Sequence, residues 1–235
     1  MLIPIKLSLP LYFFFTAILF MAVFIPEFFF VYLLMLSVHN FVLWLSIALS
    51  LPFLYLISTL LYGILHSQVV CRIFLPKITP GRYNHNSSEA MLYGVAIVSP
   101  SIFKSMLKAF SFIPHLYSLL LGKFLRLYGL RVGKNVYLSA GTMIDSHLVT
   151  IGDNTFVGLR AIIASHVTES RYLTIAPVKI GKNVTIGGNT IIAPGSEIGD
   201  NVIIGINSVV KKNQKIPSNT VYAGSPARYI RDNKV

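Results

Sequence analysis

A chain of 235 residues with a net charge of +12 and one cysteine holds one or two domains and forms no internal disulfide. The lone Cys71 also excludes a cysteine-built metal cluster, and beside a span it reads as an inert thiol before a palmitoylation site. No helix-turn-helix, zinc-finger or RNA-binding signature accompanies the positive charge, so nucleic acid is not expected as a partner.

The charge is unevenly spread. Between positions 7 and 71 Glu27 is the only Asp, Glu, Lys or Arg, while the remainder is polar and basic. A membrane anchor joined to a soluble domain fits that asymmetry better than one globule does. Lys6 precedes an apolar run at 7–25, long enough to cross a bilayer and followed by no small-x-small cleavage site. Pro26-Glu27 interrupts the run, 28–38 resumes it, and 41–65 forms a second span with a kink at Pro52. The expected element is a transmembrane helical hairpin over residues 1–70, with spans at about 7–36 and 41–65. A separate crossing by 28–38 would give three spans, but that stretch is too short alone. Lysine and arginine occur at Lys6 and again from Arg72, so the positive-inside rule places both ends and the soluble domain in the cytoplasm. Glu27, expected in a break or loop, is either a functional intramembrane carboxylate or simply wet.

Residues 71–131 read as a loop followed by amphipathic helices. Pro, Gly, Asn and Ser cluster at 76–90 without apolar periodicity. From 91 to 130, two segments broken at Pro100 and Pro114 interleave aromatics with Lys104, Lys108, Lys123 and Arg126. Such helices either lie in the interface of an anionic membrane or pack on the soluble domain.

From 132 onward a six-residue beat takes over. An aliphatic residue opens each unit at 132, 138, 144, 151, 157, 163, 180, 186, 192, 198, 204, 210 and 216, with Tyr222 last. Glycine often follows the opener, and the fifth place is small or β-branched, as in Thr155, Ala161, Val184 and Ser196. Three such units make one coil of a solenoid of short parallel strands, openers and fifth-place residues pointing inward. Glycine relieves the corners, and asparagine and aspartate suit the turns. Two departures break the beat: one extra residue near Thr150, and an eleven-residue insertion at 169–179 directly after His166.

The run Ile180-Gly-Lys-Asn-Val-Thr-Ile-Gly-Gly-Asn-Thr-Ile-Ile-Ala-Pro-Gly-Ser-Glu-Ile-Gly resembles the hexapeptide-repeat acyltransferases, as does the tail from Ser208-Val-Val-Lys-Lys to Ala223-Gly-Ser-Pro-Ala-Arg. With residues 76–131 it looks most like the β-helix domain at the end of certain peptide-synthetase-like membrane proteins. The resemblance implies a mainly β fold, a left-handed parallel β-helix over 132–235, and a homotrimer with active sites between subunits. It further implies acetyl-CoA or another acyl-CoA as donor, and no metal. His166 stands where that family carries its catalytic base, within His-x-x-Glu-x-Arg instead of the usual His-Pro-x-Asp. Histidine suits the task because it exchanges a proton near neutral pH. Glu169 is the expected supporting carboxylate. For the donor, the resemblance carries over Gly188, Ile206, Lys211, Lys212 and Arg228; the family commonly has threonine at the place of Lys211.

The expected activity is O-acyl transfer to a hydroxyl of a glycan or lipid-linked sugar near the cytoplasmic leaflet. The alternative is a non-catalytic trimeric scaffold at the membrane. A third reading starts from His147, one coil before His166 in the same place of its unit, as in the zinc site of γ-class carbonic anhydrases. That site needs three histidines and the solenoid holds two, so His147 is expected to be a surface residue.

Overall fold

The computed structural model describes residues 5–37, 40–69 and 78–234; Cys71 and Arg72 lie outside the described residues. The chain divides into two compact units, Met1–Pro76 and Lys77–Val235.

In the first unit, helix α1 spans Ile5–Ser37 and α2 spans Phe41–Val69. Within them Tyr12–Leu36 and Phe41–Ser67 are long and apolar enough to cross a membrane, with mean hydropathy 2.3 and 2.1. Only 6% of each apolar window is buried. A core helix of a water-soluble protein would hide such residues, whereas Phe14, Phe28, Phe41 and Phe53 here face outward. Tyr62 stacks on His66 and meets Phe20 and Phe24 where the two helices pack. Helix α1 continues through Pro10 and Pro26, and α2 through Pro52. The expected interruption at Pro26-Glu27 is therefore absent, Glu27 is not in a loop, and 28–37 is the second half of one helix. Where an unmade backbone hydrogen bond is costly, a helix absorbs a proline instead of unwinding.

The second unit is the expected left-handed parallel β-helix with helices laid on it. One sheet stacks the strands at 131–132, 149–151, 178–180, 197–198 and 215–216. The next stacks 137–138, 156–157, 185–186, 203–204 and 220–223, with Arg228–Asp232 folded back antiparallel on its edge. The third stacks 143–144, 162–163, 191–192 and 209–210. Openers lie on openers from coil to coil, Ile180 beside Ile198 and Ile198 beside Ile216. Inside the prism Val157, Ile163, Ile186 and Ile192 are fully buried, as are Ala161, Val184, Thr190 and Ser196 from the fifth places.

The glycine after an opener is required by space, not by its dihedral angles. A Cβ on Gly187 would lie 2.5 Å from the backbone nitrogen of Ile206 on the next coil. The left-handed backbone falls on asparagine instead: Asn135, Asn154, Asn183, Asn201 and Asn219 have φ between 54° and 59°. Their side chains form a column, each amide donating to the next at 2.8–3.2 Å. Asn201→Val should lower the unfolding free energy by about 2–4 kcal/mol, and Asn201→Gly by only about 1, since glycine loses the column but keeps the φ. Chemical unfolding of the two variants checks this, and equal losses would contradict it.

Both departures from the beat have a structural use. The extra residue is taken up by a 3-10 turn at Ser146–Leu148. The insertion forms a β-hairpin, His166–Glu169 paired with Tyr172–Ile175, whose outer edge takes up Gly81–Asn84 antiparallel. Part of 76–90, expected as loop, is thus a strand. Gly-Arg-Tyr-Asn has no apolar period of its own, and a partner edge supplied from elsewhere in the chain makes it extended.

Helix α3, Ser88–Leu107, starts at the Ser87 cap, whose hydroxyl accepts the Ala90 N–H at 3.2 Å. It runs through Pro100, where a break was expected; the break comes at the 3-10 turn Lys108–Phe110. Helix α4, Pro114–Leu127, has Pro114 in its first turn, where the missing N–H is harmless. Tyr93 and Ala90 of α3 share a small core with Leu173 and Ile175 of the hairpin. Ser118 of α4 accepts the Leu138 N–H at 2.8 Å. The inner faces of α3 and α4 therefore pack on the β-helix unit, while Phe112, Ile113 and Leu119 remain exposed.

Candidate active site

His166 is the first residue of the hairpin, where the chain leaves the solenoid. Its Nδ1 lies 2.7 Å from Oδ2 of Asp145 on the preceding coil. The same oxygen accepts the Ser165 N–H at 2.7 Å and the Tyr93 hydroxyl at 3.3 Å. Tyr93 Oη and Ser165 Oγ are 2.6 Å apart. Burial alone would raise the carboxyl pKa of Asp145. The hydrogen bond and charge of His166, with the Ser165 N–H and the Tyr93 hydroxyl, outweigh that and hold it below the usual carboxylate range. An ionised carboxylate only accepts, so Nδ1 carries the imidazole proton and Nε2 the lone pair. The His166 side chain is 29% exposed, and no hydrogen bond occupies Nε2 among the described residues. Burial, then the Asp145 charge, pushes the Tyr93 hydroxyl well above its usual pKa, so it stays a donor.

The carboxylate hydrogen-bonded to His166 is Asp145, not Glu169. Glu169 ends the first hairpin strand and pairs with Lys212 of the C-terminal coils. The hairpin turn is held from the other side, where His85 Nε2 lies 3.1 Å from the Ser170 carbonyl and Arg82 sits over the Tyr172 ring at 4.3 Å. Gly188 and Ile206 stack on adjacent coils at one corner: the Asn207 N–H bonds the Gly188 carbonyl, and Ile206 is 71% exposed. Lys211 and Lys212 lie past the next sheet, after the strand Val209–Val210. Arg228 is exposed on the terminal strand. Glu169 and Lys212 are thus brought together, while Gly188 and Ile206 sit at a different corner from the lysines.

His147 is not a surface residue. Its ring packs on Tyr93 with centroids 5.3 Å apart, the same separation that Tyr93 keeps from His166. Neither ring nitrogen of His147 has a hydrogen-bond partner among the described residues. Among those residues no three His, Cys, Asp or Glu side chains converge as metal ligands would. Burial lowers the His147 pKa, against the opposing Asp145 charge. With a folded-state pKa below the unfolded value, the unfolded chain binds the proton first, so this contribution to stability is lost as pH falls below the ordinary histidine value of 6.5. Chemical unfolding should show wild type losing stability from pH 7 towards pH 5 more steeply than His147→Gln. Parallel curves would refute this.

The missed residues are Asp145, Tyr93 and Ser165. Asp145 had a signal: it fills the place after an opener, where most other units carry glycine or another small residue. Tyr93 reaches the site from α3 and had none.

Comparison with known proteins agrees with the coil. A bacterial transferase hexapeptide (six repeats) family model matches residues 177–212, and one for the hexapeptide repeat of succinyl-transferase matches 148–166. The solenoid carries the hexapeptide repeats that both models describe. The chain is 28% identical over 182 residues to delta-poly-L-ornithine synthetase of Acinetobacter baumannii, covering 73% of this chain and 13% of that protein. That alignment is longer than the hexapeptide domain and so includes sequence ahead of it. Galactoside O-acetyltransferase of Escherichia coli is 36% identical over 111 residues, covering 44% of this chain and 54% of that enzyme. The chain therefore spans little more than half, or much less, of these curated relatives. A hexapeptide-repeat acetyltransferase of Vibrio cholerae, solved with acetyl coenzyme A, aligns at 28% identity with a TM-score of 0.43, over 46% of this chain and 62% of that one.

Proposed function

We propose that the chain is a membrane-anchored, acyl-CoA-dependent O-acyltransferase in which His166 is the general base. The observation that carries this reading is the His166–Asp145 pair, with Nε2 making no hydrogen bond among the described residues, at the foot of the insertion that the solenoid does not need for packing. An acceptor hydroxyl gives its proton to Nε2 as its oxygen attacks the thioester carbonyl carbon. The carbon–sulfur bond then breaks, CoA leaves as the thiol with the proton returned from His166, and an ester remains. Asp145 stabilises the imidazolium that forms between the two steps. Acetyl is the donor group proposed, in keeping with the acetyltransferase relatives, and the acceptor is a glycan or lipid-linked sugar.

A neighbouring subunit would complete the site. One sheet of the prism turns Met143, Ile162, Ile191 and Val209 outward, Met143 at 59% and Ile191 at 39% exposure. Another turns out Arg131, Lys179, Glu197 and Lys215, as a solvated face would. Covering the apolar sheet with a second copy supports the homotrimer. Ile191→Glu should convert a trimer to monomers in light scattering; a monomeric wild type would end this part of the reading. Lys212 and Arg228 would meet the phosphates of the donor, with Glu169 released from Lys212 when CoA binds. The α1–α2 hairpin would anchor the unit on the cytoplasmic side, where the exposed Phe112 and Leu119 would meet lipid.

The test is release of CoA thiol from acetyl-CoA by the purified full chain, with and without hydroxyl acceptors. Acceptor-dependent release is expected. A chain that binds no CoA at all would instead be the trimeric scaffold.

A further inference from the structure

Between α3, the start of α4 and the coil at 141–143 lies a cavity of about 330 Å³ that the chemistry above does not use. Ser101, Lys104, Ser105 and Lys108 line one side, with Tyr117 and Met143 opposite. Lys104 and Lys108 are four residues apart at the end of α3 and both line the same cavity. Among the described residues neither makes an ion pair. Ser101 and Ser105 donate their protons to backbone carbonyls, which leaves charge recognition to the lysines. Burial lowers the Lys104 pKa, only partly opposed by Asp145. Two lysines lining one cavity, one of them partly desolvated, favour an anion of two charges over one of a single charge. Asp145 follows Met143 by two residues, so the cavity adjoins the coil that holds the partner of His166.

We propose that this cavity anchors a phosphoryl group on the acceptor whose hydroxyl is acylated at His166. The acceptor role rests on the acyltransfer reading; the anion site does not. The phosphoryl group belongs either to a soluble phosphorylated sugar or to a lipid head.

Calorimetric titration of the full chain in non-ionic detergent with inorganic phosphate tests the site. Lys104→Gln/Lys108→Gln should weaken phosphate binding at least about tenfold. Ser105→Phe, which fills the cavity mouth without touching a lysine, should do the same. Lys182→Gln, at an exposed turn lysine that does not line the cavity, should bind phosphate as wild type does. Unchanged affinity in the Lys104/Lys108 variant, or an equal loss in Lys182→Gln, would overturn the proposal. Displacement of phosphate by glucose 6-phosphate identifies the soluble source, and displacement by dodecyl phosphate in the micelle identifies the lipid source. Displacement by neither overturns the acceptor role. Failure of the acyltransfer reading shows separately, as CoA release that survives His166→Ala while phosphate binding is intact.

Discussion

His166→Ala should lower kcat for acyl transfer by about 10²–10⁴-fold, with little change in the KM for acetyl-CoA. The reason is positional. His166 sits at the edge of the solenoid, makes its one side-chain hydrogen bond among the described residues through Nδ1, and leaves Nε2 for the proposed acceptor. Its removal takes away the proposed proton acceptor of the transition state, while the donor contacts proposed at Gly188, Ile206, Lys212 and Arg228 are made by other side chains. His166 contributes little to the core, so the variant should unfold at nearly the wild-type denaturant concentration. A large loss of stability would mean that the residue is structural.

Asp145→Asn should cost between about 10-fold and 1,000-fold in kcat. The amide keeps one acceptor oxygen for the Ser165 N–H and the Tyr93 hydroxyl, but it cannot balance the charge on the imidazolium. Asp145→Ala should add a stability loss of about 1–3 kcal/mol, because the Ser165 N–H, on a fully buried residue, then has no acceptor. The contrast between the two variants separates catalytic from structural use of one carboxylate. The carboxyl of Asp145 is held low in the folded state, so its contribution to stability is present above the ordinary value of 3.8 and is lost as pH falls through the folded pKa.

The prism was legible because its packing is periodic: each opener and fifth-place residue meets the same neighbours one coil on, so the repeat is the fold. The insertion after His166 was legible for the same reason, as the stretch that falls out of phase. Its internal structure was not, because the hairpin is completed by Gly81–Asn84 and by Tyr93, residues brought in by tertiary contact from more than 70 positions upstream. Proximity in sequence led to Glu169 as a supporting carboxylate. The coil instead brings together residues about one turn of the solenoid apart, which is why Asp145, 21 positions earlier, makes the contact. His147 shows the converse: its place in the repeat is that of His166, yet α3 covers it with Tyr93. The proline breaks failed at Pro26 and Pro100, where α1 and α3 run on through the ring.

We propose that His166 and Asp145 act as one catalytic unit on an acyl-CoA. Acceptor-dependent CoA release by wild type, His166→Ala, Asp145→Asn and the double variant tests it most directly. Residues that act together are not additive, so the double variant should be no slower than His166→Ala alone. Losses that multiply, or a His166→Ala protein that still turns over at the wild-type rate, would contradict the account.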